Sequence, residues 1–91
     1  MQIRDLETSI LSKVLGSDIR KWRIGLTNDL RVRYEHWRET ENQELLNWEA
    51  WEADSLGAAQ EVEASFIRRG MKGGTGGNLS ASVPTFVYIF D

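Results

Sequence analysis

The six residues Thr85-Phe86-Val87-Tyr88-Ile89-Phe90 constrain the fold more than any others in the chain. They are almost continuously apolar and aromatic, with β-branched residues among them, which is the composition of a strand buried on both faces. A strand of that kind belongs at the centre of a sheet, with a partner on each side. Two other segments are candidates for those partners. Trp22, Ile24 and Leu26 alternate with Arg23 and Gly25, the period-two pattern of a half-buried strand, so a strand is expected over Arg20 to Leu26. Trp48 to Ala53 is expected to be the other. Its Glu and Ala content and the three-residue spacing of Trp48 and Trp51 also suit a helix, but Asp54-Ser55 directly after it has the chemistry of a fresh helix start.

Three helices fill the remaining length. Ile3, Leu6, Ile10, Leu11, Val14 and Leu15 form a helical stripe that Gly16 is placed to end, and this helix is expected to cover one face of the sheet. Thr27, Asn28 and Asp29 supply turn and N-cap chemistry for a helix starting near Leu30, where Leu30, Tyr34 and Trp37 recur at helical spacing. Arg31, Glu35 and Arg38 face water in that reading, Arg33 and His36 lie at the border of the stripe, and Arg38 to Gln43 is a fraying end or a loop. A third helix runs from Leu56 to Arg69 with Ala59, Val62, Phe66 and Ile67 as its buried stripe, stopped by Gly70 in the manner of a left-handed C-cap. The expected fold is therefore α+β: a small three-stranded, mostly antiparallel sheet flanked by helices, in the order α-β-α-β-α-β. With 91 residues it forms one domain, residues 1–91.

Composition narrows the chemistry. With no cysteine, disulfides, Cys-zinc sites and a thiol nucleophile are excluded. No apolar run approaches the roughly 20 residues needed to cross a bilayer, and Arg4, Asp5 and Glu7 stand where a signal peptide would become apolar, so no membrane partner and a cytoplasmic location are expected. The formal charge of −3 hides a segregation. Arg20, Lys21, Arg23, Arg31, Arg33 and Arg38 cluster around the first strand and second helix, whereas Glu39 to Ile67 contains acids and neither Lys nor Arg. Two readings are open: solvated faces of opposite sign, or a patch that meets phosphate.

The segment Gly70-Met71-Lys72-Gly73-Gly74-Thr75-Gly76-Gly77-Asn78 has glycine at five of its nine positions. It is neither a Walker loop nor a dinucleotide fingerprint, since no Gly-Lys-Ser/Thr closes it and no strand and helix frame it. It is either a flexible linker or an ordered loop whose N–H groups and Lys72 hold an anion.

The run Arg23-Ile24-Gly25, the Thr/Asn/Asp turn and the helix carrying Arg33 resemble the second half of the GIY-YIG nuclease motif. In that family a strand ending in Tyr-Ile-Gly leads through such a turn into a helix bearing a catalytic Arg and then a His or Tyr. Arg23 stands in place of the family's tyrosine, and His36 falls one residue earlier than the usual histidine. Glu63, four residues before Ile67, matches the family's metal-binding glutamate, and Asn78 matches an asparagine that ends the motif in some members. No Gly-Ile-Tyr strand precedes Trp22, but Val87-Tyr88-Ile89 can lie beside Arg23-Ile24-Gly25 and present Tyr88 as the missing tyrosine. The chain thus resembles a circularly permuted, degenerate GIY-YIG domain over residues 22–90, with the first helix outside it. The resemblance implies a nuclease acting on DNA or RNA phosphodiesters with one divalent cation such as Mg²⁺ on Glu63, with Arg33 stabilising phosphate, Tyr88 helping to activate water and His36 beside them. Arg23, Lys72 and Asn78 would contact the substrate. The alternative is a non-catalytic module that holds a protein or nucleotide with its Gly-rich loop.

Overall fold

The computed structural model describes residues 1–41, 44–45, 47–74 and 79–91. The elements are helix α1 (Ile3–Val14), a 3-10 turn (Ile19–Lys21), strand β1 (Arg23–Thr27), helix α2 (Leu30–Glu41), strand β2 (Glu49–Ala53), helix α3 (Leu56–Arg68), strand β3 (Lys72–Gly73) and strand β4 (Thr85–Phe90). They form an α+β fold with a four-stranded mixed sheet in the order β2-β4-β1-β3.

β4 is internal, as its composition requires. It pairs antiparallel with β1 on one side and with β2 on the other, and Val87, Tyr88 and Ile89 are fully buried. Side chains alternate across a strand, so the sheet divides the core in two. Ile24, Leu26, Val87, Ile89, Ala53 and Trp51 face α1 and α3, which contribute Leu6, Ile10, Val14, Ala59, Val62 and Phe66. Tyr88, Phe90, Ala50 and Trp48 face α2, which contributes Trp37 with Leu30 and Tyr34 at its margin. The four tryptophans are shared evenly: Trp22 and Trp51 on the first side, Trp37 and Trp48 on the second.

The expected sheet needs one correction: it has four strands and is mixed. Lys72 and Gly73 add to the edge of β1 as a short parallel strand, with Lys72 N donating to Trp22 O at 3.0 Å and Gly74 N to Ile24 O. The glycines obscured this, because a two-residue pairing has no hydrophobic alternation to read. The start of the Gly-rich segment is thus sheet edge, while Thr75 to Asn78 lie outside the described residues.

Boundaries shift for identifiable reasons. β1 begins at Arg23, not Arg20, because the Asp18 carboxylate accepts from Arg20 N at 3.0 Å and starts a 3-10 turn over Ile19–Lys21. α2 continues to Glu41 through the polar stretch; an exposed helix end needs no apolar residue. Asp29 caps α2, its Oδ1 accepting from Val32 N, and Ser55 caps α3 through Ala58 N. Gly16 and Gly70 both take positive φ, +83° and +117°, and end their helices where expected. The stripes are narrower than the periodicity implied: Leu11, Leu15 and Ile67 are exposed, each one residue beyond the arc that α1 or α3 turns to the sheet.

Candidate functional site

The antiparallel register places Gly25 directly opposite Tyr88 and Ile24 opposite Ile89, so Arg23-Ile24-Gly25 and Val87-Tyr88-Ile89 lie side by side. The Tyr88 ring lies across Gly25: a Cβ built there would stand 2.2 Å from Tyr88 Oη and 2.4 Å from Cζ. Gly74 closes over the same hydroxyl, where a Cβ would come within 2.8 Å of Oη and 3.0 Å of the Gly25 Cα. Two glycines therefore make the space that the phenol occupies.

The ring is held by its neighbours. Trp37 Nε1 donates to Tyr88 Oη at 2.8 Å, and Trp48 stacks on the ring at 4.7 Å between centroids and 14° between planes. Phe90 continues the aromatic row, near parallel to Tyr88 and 5.9 Å from Trp48. Stacking of this kind fixes the ring as well as burying it.

Three charged side chains from three different elements bear on the Tyr88 hydroxyl. Burial pushes its pKa above the usual phenol value; the hydrogen bond from Trp37 and the positive charges of Arg33 and Arg23 pull it down, and the carboxylate of Glu63 pushes it up. Arg33 comes from α2, Arg23 from β1 and Glu63 from α3. Arg23 is fixed by its guanidinium lying 4.8 Å over the Trp37 ring and by donation from Nη1 to the Gly73 carbonyl. Arg33 is half-buried on α2. Glu63 is also half-buried, is in no ion pair among the described residues, and has its carboxyl pKa raised by burial.

Arg23, Trp37 and Tyr88 thus meet on one face of the sheet; Arg33 lies on α2 over that face, whereas Glu63 lies on α3, which packs on the other. His36 stands apart: it is exposed, with its ring edge-on to Trp37 at 5.2 Å. Lys72 is exposed on β3, next to Arg23 in the parallel register. Asn78 lies outside the described residues.

Four contributors escaped the sequence reading. Trp37 was assigned only to the core stripe, yet its indole N–H is the partner of Tyr88. Gly25 and Gly74 carry no side chain, and only the strand register reveals what they make room for. Asn28 does more than form a turn: its amide donates to Pro84 O at 2.9 Å and its carbonyl accepts from Ser80 N at 2.8 Å, clipping the segment before β4 to the turn that starts α2. An Asn in a turn is a signal for local hydrogen bonding, but the distant partner has none.

Of Arg23, Arg33, Glu63 and Tyr88, Glu63 carries the one carboxylate. Mg²⁺ commonly takes one or two carboxylates and completes its shell with water and substrate phosphate oxygens. A half-buried glutamate with no ion pair among the described residues would suit that role, and a cation would offset the burial that raises its pKa. No cluster of three His, Cys, Asp or Glu side chains occurs among the described residues, so Glu63 would be the lone protein ligand. No helix among them is long and apolar enough to cross a membrane. No protein-family model, curated protein or solved structure matches the chain.

Proposed function

We propose that the chain is a small permuted GIY-YIG-like domain that hydrolyses phosphodiester bonds of DNA or RNA with one divalent cation. The observation that carries this reading is the register that sets Arg23-Ile24-Gly25 beside Val87-Tyr88-Ile89, with Arg23 lying over the Trp37 ring whose N–H holds the Tyr88 hydroxyl. Hydrolysis of a phosphodiester needs positive charge on the phosphoryl oxygens, a group that prepares water and help for the leaving oxygen. Arg33 supplies fixed positive charge that cannot be lost by deprotonation, and Arg23 adds a second such charge. Tyr88 Oη accepts one hydrogen bond from Trp37, which leaves its proton and a second lone pair to orient a water. Glu63 would hold the cation, which supplies Lewis-acid stabilisation of the developing charge when bound.

Tyr88 is fully buried, and Gly74 covers its hydroxyl. Catalysis therefore requires the end of β3 to lift when substrate arrives, which a two-residue edge strand permits. The same burial favours the second reading, a non-catalytic module that holds a nucleotide or protein with Tyr88 as core. Incubation with DNA and RNA in Mg²⁺ or Mn²⁺ separates the two. Cutting that disappears in both Glu63→Gln and Arg33→Ala supports the nuclease; no cutting, together with no metal-induced NMR shift near Glu63, refutes it.

A further inference from the structure

A pocket of about 100 Å³ opens beside this site, lined by Lys21, Arg23, Glu41, Lys72, Phe90 and Asp91. That is several times the space one water needs. Arg23 belongs to both places: its guanidinium lies over Trp37 and near Tyr88, and it also lines the pocket. Lys21 at the end of the 3-10 turn and Lys72 on β3 flank it, brought together because β3 runs parallel to β1 with Lys72 opposite Arg23. Neither lysine is in an ion pair among the described residues, although Glu41 and Asp91 line the same pocket. Asp91 instead accepts from the Asn47 amide.

We infer that this pocket takes one internal phosphodiester group of a bound nucleic-acid strand, next to the group that would be cut. The inference rests on the proposed nuclease reading for the identity of the strand. Lys21, Arg23 and Lys72 line the pocket together with Glu41 and Asp91, and the two lysines, in no ion pair among the described residues, are the charges open to a phosphate oxygen. Arg23, held from two sides, offers preorganised donors, whereas the exposed lysines add charge without fixed geometry. The pocket then sets the register of the strand along β1, with Arg23 spanning the bound phosphate and the reacting one.

The test is binding of a fluorescent single-stranded oligonucleotide without divalent metal, followed by anisotropy across a salt series. The double variant Lys21→Ala/Lys72→Ala changes two exposed side chains, and circular dichroism checks that it folds. Its log–log salt slope should fall by about 0.7, the single-strand value for one phosphate, while Arg4→Ala on α1, an equal kind of charge loss elsewhere, keeps the wild-type slope. Glu41→Gln should tighten binding. An unchanged slope in the double variant, an equal fall in Arg4→Ala, or no binding by the wild-type protein at low salt each overturns the inference. Because metal is absent, the result is independent of cutting: no cutting by the wild-type protein together with a reduced slope in the double variant sinks only the nuclease, and cutting by the wild-type protein together with an unchanged slope sinks only the pocket.

Discussion

Gly25→Ala isolates the packing on which the site depends. A Cβ at Gly25 would lie 2.2 Å from Tyr88 Oη, 2.4 Å from Cζ and 2.8 Å from Cε2, all far inside van der Waals contact. The ring cannot swing away freely, because Trp37 holds Oη and Trp48 stacks on its face. Overpacking of this kind costs about 1–3 kcal/mol and sometimes more. Alanine in a strand regains about 0.5–1 kcal/mol of backbone entropy relative to glycine. With three Tyr88 atoms inside 3.0 Å the cost belongs at the upper end, about 3 kcal/mol, so the net expectation is a loss of about 2–2.5 kcal/mol, a large share of the stability of a small domain. Urea unfolding followed by tryptophan fluorescence measures it. The decisive control is the same change in a Tyr88→Leu background, since leucine has no atoms corresponding to Cε2, Cζ or Oη. There Gly25→Ala should be neutral or slightly stabilising, giving a coupling energy of about 2–3 kcal/mol. A cost that is equal in both backgrounds, or a neutral Gly25→Ala in the wild-type protein, refutes the reasoning.

Other substitutions probe the remaining contacts. Trp37→Phe removes the donor to Tyr88 Oη, so it should cost about 1–2 kcal/mol and raise the Tyr88 pKa further, read by tyrosinate absorbance in a Tyr34→Phe background that leaves one tyrosine. Burial raises the Glu63 pKa above its ordinary value of 4.5, so as pH climbs past 4.5 the unfolded state releases this proton first. The contribution of Glu63 to stability is then most favourable below pH 4.5, falls as pH rises towards the folded pKa and stays low above it. Glu63→Gln should abolish that fall and leave the protein more stable at neutral pH, by urea unfolding at a series of pH values. Asn28→Ala breaks the clip to Ser80 and Pro84; about 1–2 kcal/mol should be lost, and hydrogen exchange at the Ser80 amide should accelerate.

The elements carried by strong periodicity were legible in the sequence. β4 could be placed at the centre because six consecutive apolar and aromatic residues need cover on both faces, and β2 could be told from a helix by the cap chemistry of Asp54-Ser55. Two positive-φ glycines marked helix ends because no other residue takes that conformation cheaply. The adjacency of Tyr88 and Gly25 followed from pairing an apolar strand with an alternating one. What stayed hidden depends on register. β3 has only two residues and no pattern, the phenol's bed between Gly25 and Gly74 is made by absent side chains, and the Lys21–Arg23–Lys72 pocket exists only because a parallel edge pairing aligns residues about 50 apart. Leu11, Leu15 and Ile67 were assigned to the core because hydrophobicity shows which residues prefer burial but not how wide an arc the sheet covers.

The position of β4 also dictates the order in which this protein can come into being. Its two long partners, β1 and β2, never touch each other in the sheet; each pairs with β4, which follows both in the chain. While a ribosome is still making residues 85–90, the nascent chain can form helices but no antiparallel ladder, and the apolar edges of β1 and β2 have no partner. Sheet formation is then a late event that closes long loops at once, which slows folding and exposes unpaired strands to neighbouring chains. A stop codon placed before Thr85 should consequently yield a chain that aggregates, losing both halves of the core together instead of one strand from the edge.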